Sequence, residues 1–565
     1  MKTWKTNLEE TKQRYINWWN HKGIILSMWE HFQEGVKPHA DIAPPAPARD
    51  LSQKWFDPQW RAEYLVWYVA HSSLMADMLP VANTQLGPGS LAAILGGVFE
   101  GGEDTIWIHP DPNFNDEIVF NPEHPNWLLH KELLKACKAK ANGNYFVGMP
   151  DLMEGLDVLA ALKGTDMVLL DTVMQPEVLE QQMQQINDIY FKVFDELYDI
   201  IREADEMAFC YFSSWAPGKM SKLQSDISTM ISQDDYRRFV QPFIREQCQK
   251  IDYTLYHLDG VGAMHHLPAL LEIEELNAIQ WTPGVGEPQG GSPKWYDLYK
   301  KILAGGKSVM ACWVTLEELK PLLDHIGADG VHLEMDFHNE REVEQAMRII
   351  EEYTGSSSSV SADVHTNQPV GEQDNAQESI RIREEKSQEE DRMKPLYDAI
   401  VAGKLEPAVE VTKDAIAAGV LPQDIINGYM ITEMGEVGQR FQDGKAFVPQ
   451  LLMAGRAMKG ALELLKPLLA GNASATIGKI VIGTVKGDLH DIGKNLVASM
   501  LEGCGFEVIN IGIDVTCDKF VEAVKENKAD ILCMSALLTT TMTYMQDVIR
   551  ALEEAGIRDQ VKVMI

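Results

Sequence analysis

The stretch Gly483-Thr484-Val485-Lys486-Gly487-Asp488-Leu489-His490-Asp491-Ile492-Gly493-Lys494-Asn495 sets an imidazole, carboxylates and glycines at one joint of the chain. The run Lys479-Ile480-Val481-Ile482-Gly483 is short and apolar, which predicts a buried parallel strand, and Asn495 to Leu501 begins an amphipathic helix. His490 therefore falls on a loop at the carboxyl edge of a sheet, the edge at which open α/β sheets bind ligands. The glycines let the backbone pass close to a bulky cofactor. An imidazole in this place can bind a metal through one nitrogen when its other nitrogen is oriented by an acceptor such as Asp488. The competing reading of an isolated Asp-x-His-x-x-Gly is a helix-capping Asp beside a solvated His.

The surrounding segments bear on that choice. Downstream, a strand is predicted at Gly505 to Gly512, a helix at Phe520 to Val524 and another strand at Ala529 to Met534, the alternation of a parallel sheet. The last of these runs into Ser535-Ala536-Leu537-Leu538-Thr539-Thr540-Thr541, a hydroxyl-rich turn at the same sheet edge as His490. Upstream, Met393 to Leu469 reads as amphipathic helices carrying Met434, Val437 and Phe441, a small bundle able to cap an apolar cofactor face or simply to form its own core.

Together these segments resemble the corrinoid-binding module of cobalamin-dependent methyltransferases. The resemblance implies a helical-bundle cap over 393–472 and a Rossmann-like cobalamin-binding domain over 473–565, with further strands and a glycine pair to follow Ile565. It implies that His490 is the lower cobalt ligand and that Asp488 controls the proton on its far nitrogen. Thr541 stands where the family often has a second serine, keeping the hydroxyl of that relay. Asp491, Gly493, Ser535, Leu537 and Thr539 on the two loops, and Met434, Val437 and Phe441 on the cap, are the other positions expected against the cofactor.

With 565 residues the chain is too long for one core, and 45% hydrophobic with 24% charged residues is a globular composition. A net charge of -34 argues against nucleic acid, whose phosphates need a basic face. Seven cysteines without a Cys-x-x-Cys pair fit a reducing cytoplasm. No apolar run approaches membrane-spanning length, and Met1 to Lys5 leads into a polar helix without a signal-peptide core, so a cytoplasmic protein is expected.

From Thr354 to Arg392 large apolar residues are scarce, and the composition is that of a linker tethering two folded parts. Before it, strands are predicted at Met207–Phe212, Tyr253–His257, Leu276–Trp281, Ser308–Trp313 and Gly330–Glu334, with helices between, one opened by the capping pair Thr315 and Glu318. Alternation over residues 1–353 predicts a (β/α)8 barrel, whose chemistry sits at the carboxyl ends of its strands. Those ends carry His257 and Asp259, then Gln280 and Trp281, then Cys312, then Glu334 and Asp336.

Segments such as Leu159 to Gly164 and Asp226 to Ser232 are similar to the uroporphyrinogen decarboxylase superfamily, over roughly Gly23 to Tyr353. That superfamily holds decarboxylases and zinc-dependent methyltransferases that act with corrinoid proteins. Its methyltransferase branch carries His-x-Cys and a later Cys as zinc ligands, whereas this chain has His257-Leu258-Asp259 and then Glu334. Zinc accepts nitrogen, oxygen and sulfur, so His257 with Cys312, Glu334 or Asp259 is a chemically sound set, and an oxygen-rich one would act as a Lewis acid on a methoxyl or amine leaving group. Alternatively, His257 and Asp259 are a hydrogen-bonded pair and Cys312 is core. The decarboxylase arginine signature is missing between Gly23 and Phe32.

The expectation is a corrinoid-dependent methyltransferase of one-carbon metabolism, with His257, Asp259 and Glu334 as the catalytic groups of the barrel. Its partners would be a small methylated substrate or methyl acceptor, a second methyltransferase and a corrinoid reductive activase. Two alternatives are a corrinoid carrier with a catalytically silent barrel, and a porphyrinogen decarboxylase with a fused sensor.

Overall fold

The computed structural model describes residues 3–102, 105–111, 114–284, 286–354, 394–426, 430–469, 478–488, 492–503, 505–536 and 539–565. The chain divides into two compact units, Met1–Ser357 and Ser358–Ile565. The linker expected over 354–392 lies, from 355 onward, outside the described residues.

The first unit contains strands β1 (Ile24–Ser27), β2 (Val81–Ala82), β3 (Val98–Gly101), β4 (Ile106–His109), β5 (Phe146–Met149), β6 (Met207–Phe209), β7 (Trp215–Ala216), β8 (Met220–Gln224), β9 (Tyr253–Asp259), β10 (Ala278–Thr282), β11 (Ser308–Val314) and β12 (Val331–Met335). Strands β8 to β12 lie side by side in parallel, and β1 joins them on β12, giving the order β1-β12-β11-β10-β9-β8. A second sheet pairs β2, β5 and β6 in parallel, with β7 antiparallel at its edge. Buried parallel strands need apolar residues on both faces, and β11 supplies them as Ser-Val-Met-Ala-Cys-Trp-Val, buried except at Trp313. Helices connect the strands. The helix Pro176–Ile201 opens on a proline, which lacks the N–H that a first turn leaves unpaired, and buries Leu179, Met183, Ile186, Tyr190, Val193 and Leu197 along one stripe.

The strand predicted over Met207–Phe212 ends at Phe209. Beyond it the chain turns through Tyr211–Ser213, with Phe212 at φ 59° and Ser213 at φ 43°, a left-handed conformation that no strand can continue through. The capping pair is present: Thr315 donates to Glu318 Oε2 from its backbone nitrogen at 3.0 Å and from its hydroxyl at 2.9 Å, opening the helix Leu316–Ile326.

One buried carboxylate fastens β1 to the segment that leads into β2. Asp77 accepts from Leu26 N–H at 3.0 Å and from Arg14 Nε at 2.5 Å, while its own N–H donates to Leu26 O at 2.9 Å.

The second unit begins with helices over 394–401, Leu405–Ala417, Pro422–Ile425, Ile431–Gln442 and Val448–Leu469. Leu396, Ile400, Ile425, Met430, Met458, Leu462 and Leu465 form their shared core. A Rossmann-like domain follows, with β13 (Lys479–Thr484), β14 (Glu507–Asn510), β15 (Ile531–Ser535) and β16 (Lys562–Met564) all parallel in the order β14-β13-β15-β16. Its helices are Ile492–Gly503, Cys517–Asn527 and Thr539–Glu554. The helical part packs on the first of these, where Met500 joins Val437, Ala446, Leu451 and Ala454, and Lys459 pairs with Glu502 at 2.9 Å. Among the described residues no helix is long and apolar enough to cross a membrane.

Replacing Asp77 by Ala leaves the buried Leu26 N–H without its acceptor, while Arg14, 37% exposed, can turn to water. A loss of about 2 kcal/mol is expected in the first unit, the cost of an unsatisfied buried donor. Urea unfolding followed by tryptophan fluorescence measures it, and an unmoved midpoint would contradict the role given to Asp77.

Candidate functional site

In the first unit parallel pairing gathers the chemically active side chains at one edge. Gln224, His257 and Gln280 stand level, because β8 pairs Gln224 with His257 and β10 pairs Gln280 with His257. Gln280 Oε1 bonds His257 Nδ1, while Gln280 Nε2 donates to Cys312 Sγ at 3.1 Å and to Thr282 Oγ1 at 2.8 Å. Cys312 in turn donates to Glu334 Oε2 at 2.9 Å. With a carbonyl oxygen as partner, Nδ1 carries the proton and Nε2 keeps its lone pair. That nitrogen lies 3.9 Å from Asp259 Oδ2, and one ligand atom from each of Asp226, His257 and Asp259 falls within 4.8 Å of the others.

Of the residues the sequence singled out, His257 and Asp259 are thus brought together. Cys312 and Glu334 bond each other and reach His257 through Gln280. The third member beside His257 is Asp226, which follows directly on β8 and was not among the expected ligands.

Burial sets the protonation states. Desolvation, aided by Lys222, lowers His257 to about 3 and keeps it neutral. Desolvation raises Glu334 to about 8, and its Oε1 has no hydrogen-bond partner among the described residues. Asp226 keeps an open surface but is hemmed in, and desolvation with Asp157 and Asp259 nearby raises it well above the usual carboxylate range.

Further carboxylates complete this edge. Lys222 and Asp151 pair at 2.5 Å with both side chains 1% exposed, and Lys222 also bonds Gln224. Gln224 donates to Asp226 Oδ2 at 2.9 Å and, through its backbone, to Glu154 Oε2 at 3.0 Å. Asp157 accepts the N–H groups of Asp226 and Ile227 at 2.8 and 2.9 Å. An aromatic wall stands beside them: Trp29 lies 4.5 Å from Tyr211, 4.7 Å from Phe212 and 5.5 Å from Trp313, and Tyr211 and Phe212 lie 6.0 and 5.8 Å from His257. Trp29, Tyr211 and Trp313 are half-buried, each with surface left open.

In the second unit the helix after β13 leads to one edge strand and the next helix crosses back to β15 on the other side, which makes the gap between β13 and β15 the topological switch point. Asp488 is buried there, and Thr541 Oγ1 donates to its Oδ2 at 2.7 Å. Ser535 pairs in register with Thr484, and its carbonyl accepts from Val485 N–H at 3.0 Å. Gly493 and Gly512 border open space, since a Cβ on either would meet no described atom within 4 Å. His490, Asp491 and Leu537 lie outside the described residues, as does the side chain of Thr539. On the cap, Val437 is packed in the helical core with Met434 against it, and Phe441 is 44% exposed.

Comparison with known proteins bears on the second unit. Residues 478–565 match a family model described as B12 binding domain, and residues 393–466 match a second model of the same description. The chain is 45% identical over 170 residues to trimethylamine corrinoid protein 1 of Methanosarcina acetivorans, covering 30% of this chain and 79% of that protein. It is 48% identical over 161 residues to dimethylamine corrinoid protein 1 of the same organism, covering 27% and 76% respectively. A solved cobalamin-binding protein from Desulfitobacterium hafniense is 35% identical, covering 30% of this chain and 81% of that one, at a TM-score of 0.27. Through its carboxyl-terminal part the chain belongs to the family of B12-binding corrinoid proteins.

The raised Glu334 has a consequence for stability. Its folded form holds a proton that the unfolded chain releases near 4.5, so its contribution is complete below that value and is lost as pH rises through about 8. The melting temperature of the first unit should fall between about pH 5 and 8 and level off above, and Glu334→Gln, which mimics the protonated acid, should flatten that slope. Calorimetry at stepped pH checks both; equal slopes would remove Glu334 as the cause.

Proposed function

We propose that the chain is a two-part corrinoid-dependent methyltransferase. The first unit binds a methylated small molecule or a methyl acceptor, and the second carries the methyl group. The observation that carries this reading is the convergence of His257, Asp259, Asp226, Glu334 and the aromatic wall on the carboxyl ends of parallel strands, in a chain that also holds a B12-binding module. The first unit is read as a (β/α)8 barrel of the uroporphyrinogen decarboxylase kind. The pairing of the first strand with the last supports closure, as do the Asp77 fastening of β1 and the Lys222–Asp151 bridge from β8 to the residues after β5.

His490 is the proposed lower ligand of cobalt. A bound corrinoid supplies a cobalt centre that takes a methyl group as a nucleophile and gives it up to an acceptor. The residues present fit such a group: a buried carboxylate held by a hydroxyl at the switch point, and glycines bordering open space at the same edge. Asp488 orients the far nitrogen of His490 and Thr541 holds Asp488 in place, so that a proton can be kept or released beneath the cofactor. Asp491, Gly493, Ser535, Leu537, Thr539 and the cap residues Met434, Val437 and Phe441 are the positions that would enclose it. The 354–392 segment keeps the two parts at high effective concentration.

In the first unit His257 Nε2 with Asp226 and Asp259 forms the donor set that fits zinc, one nitrogen and two oxygens, while Cys312 and Glu334 support it through Gln280. Zinc would supply Lewis acidity toward the group that bears the methyl. The aromatic wall contacts the apolar part of the substrate and excludes water. Because the related proteins are named for trimethylamine and dimethylamine, methylated amines head the donors to try. Buried free thiols at Cys137, Cys210, Cys248, Cys312 and Cys533 support a cytoplasmic setting. A separate methyltransferase and a reductive activase complete the cycle.

The full chain reconstituted with hydroxocobalamin should show a corrinoid spectrum, and His490→Ala should change its axial coordination. Methyl transfer from a donor panel should fall roughly 100-fold or more in His257→Ala and Asp226→Asn, the scale of removing a group that acts on the reacting centre. A silent first unit, as in a pure carrier, would leave transfer to an added methyltransferase unaffected by either change.

A further inference from the structure

Asp514 holds the loop that carries Asp488 by both of its hydrogen-bonding ends. Its Oδ1 accepts from Gly487 N–H at 2.7 Å, and its own N–H donates to Asp488 O at 3.1 Å. The following residue is tied to the same strand end, since Val515 N–H donates to Thr484 O at 2.9 Å and Thr484 N–H donates to Gly512 O at 3.0 Å. Asp488 N–H closes a turn onto Val485 O at 3.1 Å. Both peptide groups on the amino side of Asp488 and its own carbonyl are therefore satisfied locally, two of these bonds coming from one residue on the loop after β14.

Asp514 makes this grip from a left-handed backbone, at φ 50°. An L-residue with a Cβ adopts that conformation only where its surroundings repay it, and Asp is among the few whose short polar side chain can supply the bonds that do so. Here those bonds are visible: the turn aims the carboxylate at Gly487 N–H while the backbone reaches Asp488 O. Gly487 is itself at φ 81°, so its peptide depends on an external partner to fix its orientation. Asp514 is exposed, and no packing of its side chain accounts for the strain.

We propose that Asp514 is a positioning residue for the corrinoid site: by clamping Gly487 and Asp488 from the loop after the neighbouring strand, it sets where the Asp488 carboxylate stands, and through it the imidazole that the proposed function assigns to cobalt. Thr541 holds the carboxylate from the side-chain end and Asp514 holds it from the backbone end. The inference rests on the reading of His490 as the cobalt ligand.

The test uses the full chain produced with 15N-labelled histidine, loaded with hydroxocobalamin and reduced to the cobalt(II) form, in whose EPR spectrum a bound histidine imidazole gives a two-line hyperfine splitting that the cofactor's own unlabelled base cannot give. Asp514→Gly keeps the left-handed backbone and removes only the acceptor, whereas Asp514→Asn keeps the acceptor and tolerates the same φ. The ratio of coordinated to uncoordinated cobalt should fall about ten-fold in Asp514→Gly, the lower end of what losing an outer partner of a metal ligand costs. Asp514→Asn should restore it, with the melting temperature of the apo-protein alike in both. If Asp514→Gly keeps the wild-type splitting while His490→Ala loses it, or if Asp514→Asn fares no better than Asp514→Gly, the clamp is overturned and the axial reading stands. If His490→Ala itself keeps the splitting, the axial reading fails and takes the clamp with it.

Discussion

A parallel strand delivers its last side chains to the same edge as every neighbour, and both units depend on that constraint. In the first, the level pairing of Gln224, His257 and Gln280 puts an imidazole between two amides, and the next strands add Cys312 and Glu334 just beyond Met310 and His332, the residues that pair at that level. In the second, β13 and β15 run together and bring the turns after Thr484 and Ser535 close enough for Thr541 to bond Asp488. Residues far apart in sequence become one site because strand direction, rather than loop length, decides where they end.

The charge at the first edge follows from what burial permits. Asp151, Glu154, Asp157, Asp226 and Asp259 share the neighbourhood of a single buried ammonium, Lys222, which is already paired with Asp151. His257 adds no positive charge, since desolvation holds it neutral. Backbone N–H groups bond Asp157 and Glu154, yet burial outweighs them, and Glu154, Asp157, Asp226 and Asp259 are all shifted upward and resist ionisation. Under the proposed reading a cation would relieve this crowding, and a neutral imidazole lone pair beside two carboxyls would direct it to one spot.

The second unit was the more legible of the two because its signals are local. The run Lys479 to Gly483 precedes its loop without a break, β14 falls inside its predicted run, and β15 overlaps its own and ends one residue later, at Ser535. In the first unit, β9 to β12 were visible as apolar runs, but β8 was not, because Lys222 and Gln224 interrupt its pattern; both are buried by partners that lie elsewhere in the chain. Asp226 was hidden for the same reason. A weak signal did exist in Asp151, Glu154 and Asp157, carboxyls at every third position directly after an apolar strand. The aromatic wall had no sequence signature, since Trp29, Tyr211, Phe212 and Trp313 meet only through tertiary folding.

Strain is distributed in a way that separates architecture from site. Asn142 and Lys528 take left-handed backbone where helices end, a place where that conformation closes the last turn. Phe212, Trp313 and Asp514 take it at the carboxyl ends of strands, where a continued strand would have cost nothing. In each case the departure turns a side chain out of the regular alternation: Phe212 against His257, Trp313 against Trp29 and Asp514 onto Gly487. A sheet places its residues by alternation alone, so a group needed off that grid must be bought with an unfavourable φ. That the two bulkiest such departures, Phe212 and Trp313, fall at the edge already marked by buried carboxylates is an argument, independent of charge, for that edge as the place where the first unit acts.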